Sequence, residues 1–157
     1  MGKIIFLDID GVLNNSRTYY SEDIKRFHVN PGNIIDPQNL NRLHQLLDLV
    51  PDSKIVYISS WARVDDKAHN DEITKFLGLP KDRVLGTTET TGGGRCRGEM
   101  IYDYVVKNKI KNYVVLEDSI QHYVYELGGN FICVNGLVGL TYYDIKLAER
   151  ILCLNHA

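Results

Sequence analysis

Apolar positions along this chain fall into two patterns: short unbroken runs, and longer stretches in which they recur every three or four residues. The runs at 3–7, 54–58, 113–116 and 131–134 are rich in Ile, Val and aromatic residues and read as buried strands; 83–87 is a weaker fifth. Between them lie helical patterns. Asp36-Pro37 pairs an N-cap residue with proline at the first helical position. Leu40, Leu43, Leu46, Leu47 and Val50 then form an apolar stripe that Pro51 ends. Residues 71–77 form a second helix stopped by Gly78 and Pro80, and 98–108 a third with Ile101, Tyr104 and Val105 on one face. Helices over 119–127 and 143–154 complete the set. Strands alternating with helices predict an α/β fold: a three-layer, Rossmann-like parallel sheet with helices on both faces. Segments 15–35 and 87–94 resist this reading and are expected to be irregular loops, which in compact domains are often functional.

Three of the predicted strands end in polar groups. The first runs into Asp8-Ile9-Asp10-Gly11, the second into Ser59-Ser60-Trp61, the third into Glu117-Asp118. In an open parallel sheet, ligands bind beyond the carboxyl ends of the strands. If these strands are neighbours, their polar ends share one edge, with Arg95 and Arg97 entering from the helix that precedes the third. Carboxylates there suit a hard cation or nucleophilic attack on phosphorus. A hydroxyl and a guanidinium suit the non-bridging oxygens of a phosphate. Such an acidic cluster repels both itself and an anionic substrate unless a cation sits in it, so the pattern implies a metal. The plainer readings are that Asp-Ile-Asp-Gly is a turn, that Ser59 and Ser60 satisfy backbone at a strand end, and that Arg97 is a surface residue.

Bulk properties narrow the classes. The 157 residues suit one domain, 1–157, with a proper core. With 18 Lys+Arg against 20 Asp+Glu the net charge is −2, so no whole-chain attraction to nucleic acid is built in. No apolar stretch is long enough to span a bilayer and 4–7 is too short for a signal peptide, which predicts a cytoplasmic protein without a membrane partner. Cys96, Cys133 and Cys153 show neither paired nor zinc-site spacing, and the last two read as small core residues. The five histidines, His28, His44, His69, His122 and His156, show no metal-ligand spacing. Trp61 reads as a packing residue beneath the loop, Tyr19 and Tyr20 as flap surface, Gly92-Gly93-Gly94 as a flexible linker, and the lysines at 107–111 as a solvated helix end.

The strand-borne Asp8-Ile9-Asp10-Gly11-Val12-Leu13-Asn14, the strand-terminal Ser59, the helix-opening Arg97 and the Glu117-Asp118 pair together resemble the four motifs of the haloacid dehalogenase (HAD) superfamily. With Ile58-Ser59-Ser60-Trp61, Arg97-Gly98-Glu99-Met100-Ile101, Val115-Leu116-Glu117-Asp118 and Gly139-Leu140-Thr141, the chain is similar to the small HAD phosphatase domains associated with RNA repair proteins. The resemblance implies that Asp8 is a nucleophile forming an aspartyl-phosphate. It implies that Asp10 is the general acid and then the base, with its main-chain carbonyl on Mg²⁺. Ser59, with Ser60 beside it, and Arg97 would hold phosphate, and Asp118 would bind metal with Glu117 in support. The first acid of the last motif is often Asp rather than Glu, and Arg95 could take the place of Arg97. Because dehalogenases of this fold lack the second acid, Asp10 argues for phosphate chemistry.

The inserts after Asp10 and Ser59 look too short for a large cap domain, and an open site favours a bulky phosphomonoester such as a nucleic-acid end. A small-molecule or nucleotide phosphatase is the alternative, and a non-catalytic phosphate-binding or partner-binding module the alternative of another class. The expected cofactor is Mg²⁺.

Overall fold

The most buried segment of the chain is its first strand, and the molecule is layered around it. In the computed structural model, which describes residues 2–89 and 93–154, the elements run β1 (Ile4–Leu7), β2 (Lys25–Phe27), β3 (Asn30–Ile35), α1 (Pro37–Leu49), β4 (Lys54–Tyr57), α2 (Lys67–Phe76), β5 (Val84–Thr87), α3 (Arg97–Lys107), β6 (Tyr113–Glu117), β7 (Phe131–Cys133) and α4 (Tyr142–Leu154). Five strands form one parallel sheet in the order β5-β4-β1-β6-β7. All four residues of β1 are fully buried, because both faces of the sheet are covered. Ile5 and Leu7 join the core made with α1, α2 and α4, whereas Ile4 and Phe6 face Ile101 and Val105 of α3. This is the three-layer Rossmann-like arrangement expected, with no large cap. Among the described residues no helix is long and apolar enough to cross a membrane.

The Asp36 side chain caps α1, accepting from the Gln38 and Asn39 amides at 2.8 and 3.4 Å. α2 begins earlier than expected, at Lys67, because Asp66 caps it through the His69 amide; its first turn is polar and shows no apolar stripe. Residues 119–127 do not form the expected α-helix. They make short 3₁₀ turns at Ile120–His122 and Tyr125–Asn130, with Tyr123 and Val124 extended between them. The His122 carbonyl there packs on Gly98, where an added Cβ would stand 2.0 Å from it, so the close seat of this segment on α3 needs a glycine.

Segment 15–35 is more regular than expected. Its second half is the antiparallel hairpin β2–β3, whose Phe27 is buried while Tyr19 and Tyr20 face solvent. Cys133 and Cys153 are exposed, not in the core: Cys133 lies on edge strand β7 beside inward-facing Ile132, and Cys153 follows buried Leu152 onto the outer side of α4. Residues 90–92, within the expected 87–94 loop and the glycine run, and His156 lie outside the described residues.

Candidate active site

Register places the site. Leu7 of β1 pairs with Tyr57 of β4 on one side and with Leu116 of β6 on the other. The ladder continues one step further: the Asp8 amide donates to the Leu116 carbonyl at 3.0 Å, and the Ile58 amide to the Leu7 carbonyl at 3.0 Å. Asp8, Ser59 and Glu117-Asp118 therefore leave adjacent strands at the same carboxyl edge.

Carboxylate oxygens of Asp8, Glu117 and Asp118 all lie within 4.8 Å of one another. Asp8 is only 4% exposed and Glu117 1%. Arg97, at the start of α3, reaches into this cluster; its Nη1 lies 3.2 Å from Asp8 Oδ1 and also donates to Glu117 Oε2. Glu117 Oε1 accepts from the Ser119 amide at 3.0 Å, so both of its oxygens are occupied. Asp118 is held from behind by backbone: an added Cβ at Gly11, whose φ is +78°, would stand 2.1 Å from its Oδ2, and one at Gly136 2.8 Å. Only glycine admits both that left-handed turn and that close approach.

Burial, with the neighbouring Glu117 charge, pushes the Asp8 carboxyl up to about 8 against the partial relief given by Arg97. Burial and Glu117 likewise raise Asp118 to about 6. Burial acts on Glu117 too, but Arg97 and its hydrogen bonds overcome it and hold that carboxyl below its ordinary range. One arginine thus serves three acids, and burial and mutual repulsion disfavour the charged forms of Asp8 and Asp118. A divalent cation would supply the missing positive charge, and the Asp8 and Asp118 carboxylates at this spacing fit a hard ion such as Mg²⁺, which commonly takes one or two carboxylates and keeps several waters.

This frustration has a thermodynamic sign. Groups whose folded pKa is raised above the unfolded value stabilise the fold below the unfolded pKa, and that stability is lost as pH rises through the folded pKa. In chelator, Tm is expected to fall as pH rises from the ordinary carboxyl value of 3.8 to about 8; Asp118 contributes only up to about 6, and between pH 6 and 8 the fall is carried by Asp8. Mg²⁺ should flatten this slope and raise Tm more at pH 8 than at pH 6. Thermal melts with and without Mg²⁺ check it; a Tm indifferent to both pH and Mg²⁺ would count against the cluster as a cation site.

Beside the acids, Ser59, Ser60, Thr88 and Arg97 line a cavity of about 50 Å³. Ser59 is buried, its Oγ accepting from the Trp61 amide at 3.2 Å, whereas Ser60 is exposed. Arg95 is not brought to the site: it pairs with Asp103 at 2.6 Å on the outer side of α3. Asp10 is exposed and its carboxylate is not one of the three clustered acids; the resemblance assigns its main-chain carbonyl, not its side chain, to the metal.

Two contacts to Asp10 escape a reading by strand ends. Asn14 Nδ2 donates to Asp10 Oδ1 at 2.9 Å, and Trp61 Nε1 donates to both Asp10 oxygens at 3.2 Å. Trp61 is the buried packing residue expected, stacked on Phe27, but its polar edge is turned to the site. The nearest signal in the sequence is the position of Trp61 directly after the strand-end serines.

Over residues 4–145 the chain matches the family described as the HAD domain in Swiss Army Knife RNA repair proteins. The chain belongs to this family. Among curated proteins nothing matches it. Membership of the HAD domain family agrees with the five-stranded parallel sheet and points to phosphatase-type chemistry, and the superfamily typically uses Mg²⁺.

Proposed function

We propose that this HAD domain is a Mg²⁺-dependent phosphatase that hydrolyses a phosphomonoester through an aspartyl-phosphate on Asp8. The observation that carries this reading is the buried Asp8 carboxylate beside Arg97, within 4.8 Å of the Glu117 and Asp118 oxygens, at the open edge of the sheet. Asp8 attacks phosphorus while Asp10 gives a proton to the departing oxygen; Asp10 then takes a proton from the water that cleaves the acyl phosphate. Ser59, with Ser60 at the rim, and Arg97 hold the non-bridging oxygens. Asp8, Asp118 and the Asp10 carbonyl would hold the metal, with Glu117 acting through Arg97 and the cluster. Bound there, Mg²⁺ would offset the repulsion between nucleophile and phosphate.

The favoured substrate is a phosphate on a nucleic-acid end or another bulky group. A small cavity beside the acids is lined by Ser59, Ser60 and Arg97, and the insert after Asp10, a 3₁₀ turn at Thr18–Tyr20 and the β2–β3 hairpin, forms no large cap, which supports a bulky substrate. The net charge of −2 favours a second reading, a nucleotide or other small phosphate ester. Phosphate release, measured with and without Mg²⁺ on 3′- and 5′-phosphorylated oligonucleotides, mononucleotides, sugar phosphates and an aryl phosphate, decides among them. Mg²⁺-dependent turnover is expected, highest on an oligonucleotide end. Preference for mononucleotides moves the assignment to the second reading, and no release from any ester makes the domain a binding module.

A further inference from the structure

The Asp10 carboxylate is held from two sides, and both holds lead back to the β2–β3 hairpin. On one side Asn14 Nδ2 donates to Asp10 Oδ1 at 2.9 Å and to the Ile34 carbonyl of β3 at 2.8 Å, while its Oδ1 accepts from the Gly11 amide at 2.8 Å. Every polar atom of that amide is used, so its orientation is fixed. On the other side the indole N–H of Trp61 is shared between Asp10 Oδ1 and Oδ2. The Trp61 ring lies parallel to that of Phe27 in β2, centroids 5.9 Å apart and planes 15° apart, and the His69 Nε2 edge meets the Trp61 carbonyl at 2.8 Å. Trp61 is 4% exposed. An exposed carboxylate would otherwise sample several rotamers, and restricting it to one adds to the rate only if that rotamer is the reactive one.

We infer that Trp61 is a positioning residue for Asp10, clamped by the hairpin through Phe27, and that it leaves Oδ2 as the oxygen that carries the moving proton. Oδ1 accepts from both Asn14 and Trp61, whereas Oδ2 shares only the bifurcated indole bond. In the first step an Asp8 oxygen bonds to phosphorus as the P–O bond to the leaving group breaks; the electron pair of that bond stays on the departing oxygen, and the proton on Oδ2 passes to it. In the second, water bonds to phosphorus as the bond from phosphorus to Asp8 breaks; its electron pair returns to the Asp8 carboxylate, inorganic phosphate leaves, and a proton of the water passes to Oδ2. This inference rests on the phosphatase reading and adds to it the device that aims the acid.

The need for a proton differs among leaving groups, and that gives the test. A weakly basic aryl oxide departs without one, while an alkyl alkoxide, such as a sugar or nucleoside hydroxyl, does not. Trp61→Phe keeps a ring against Phe27 and removes the N–H. Expected is a loss in kcat/KM of about 10-fold or more on an alkyl phosphate, against less than about 3-fold on 4-nitrophenyl phosphate, with KM little changed. Asp10→Asn should give the same selective pattern, only larger. Phe27→Leu keeps the N–H but loosens the clamp; it should give a smaller selective loss, and it serves as the test if Trp61→Phe does not fold. Equal losses on both esters, or none, overturn the inference while leaving the phosphatase reading standing. A wild-type protein that hydrolyses neither ester overturns the reading itself.

Discussion

Asp8→Asn should abolish turnover while leaving the fold as stable as before, or more stable. The amide has the shape of the carboxylate but cannot attack phosphorus as an anion, and loss of a nucleophile costs about 10⁴-fold or more. The stability half of the expectation comes from the cluster. Asp8 is buried with two other acids and one arginine, and its carboxyl is already pushed up to about 8. Replacing it with a neutral group removes that repulsion, and Arg97 retains Glu117. In chelator, Tm should hold or rise, and its fall between pH 6 and pH 8 should shrink. Steady-state phosphate release and thermal melts on the same preparation check both halves. Wild-type rates in this variant would rule out the covalent route, and a lower Tm would mean that Asp8 is a net stabilising partner of Arg97.

The opposite sign is expected for Arg97→Ala. Its guanidinium bridges Asp8 and Glu117 at the start of α3, the end of a helix dipole that favours an anion. Removing a preorganised charge of this kind typically costs about 10²–10³-fold in kcat. The variant also strands Glu117, which is 1% exposed, without its cation. Breaking a buried pair from one side costs about 3 kcal/mol, so the metal-free protein should melt well below wild type, and Mg²⁺ should recover part of the loss. Arg95→Ala is the control: its partner is Asp103, away from the acids, so small-ester turnover and Tm should stay unchanged. If Arg95→Ala is the variant that loses small-ester turnover, the phosphate clamp belongs to Arg95.

What was legible in the sequence follows from what is local. β1, β4 and β6 are short apolar runs covered on both faces, so hydrophobicity alone marks them, and the polar residue after each run marks the sheet edge. Asp36-Pro37 announces α1 because cap and proline act within one turn. By contrast, α2 starts on Asp66 ahead of a polar turn that carries no periodicity. The 119–127 segment has helical composition, but it is pinned against Gly98 and turns at Gly128. β2 is three residues long, too short to show alternation, and owes its existence to pairing with β3. At the site, the acids and Ser59 follow from strand ends, and Arg97 from the start of a helix. The grip of Trp61 and Asn14 on Asp10 depends on where the hairpin lies, which no local pattern records.

The central place of β1 also sets an order of events. It precedes the other four strands of its sheet in synthesis, yet its neighbour β4 arrives only after the hairpin and α1, and β6 only after α2, β5 and α3. Pairings so distant along the chain carry a large loop-closure entropy and form slowly. Asp8 is therefore made early and waits, because the acids that complete its cluster lie on β6 and just beyond it. A nascent chain that ends before β6 holds Asp8 without the acids of its proposed cation site. Affinity for a divalent ion would then appear only when β6 docks, so the ion, added to a refolding protein, would report the pairing of β1 with β6 and favour chains that have completed it.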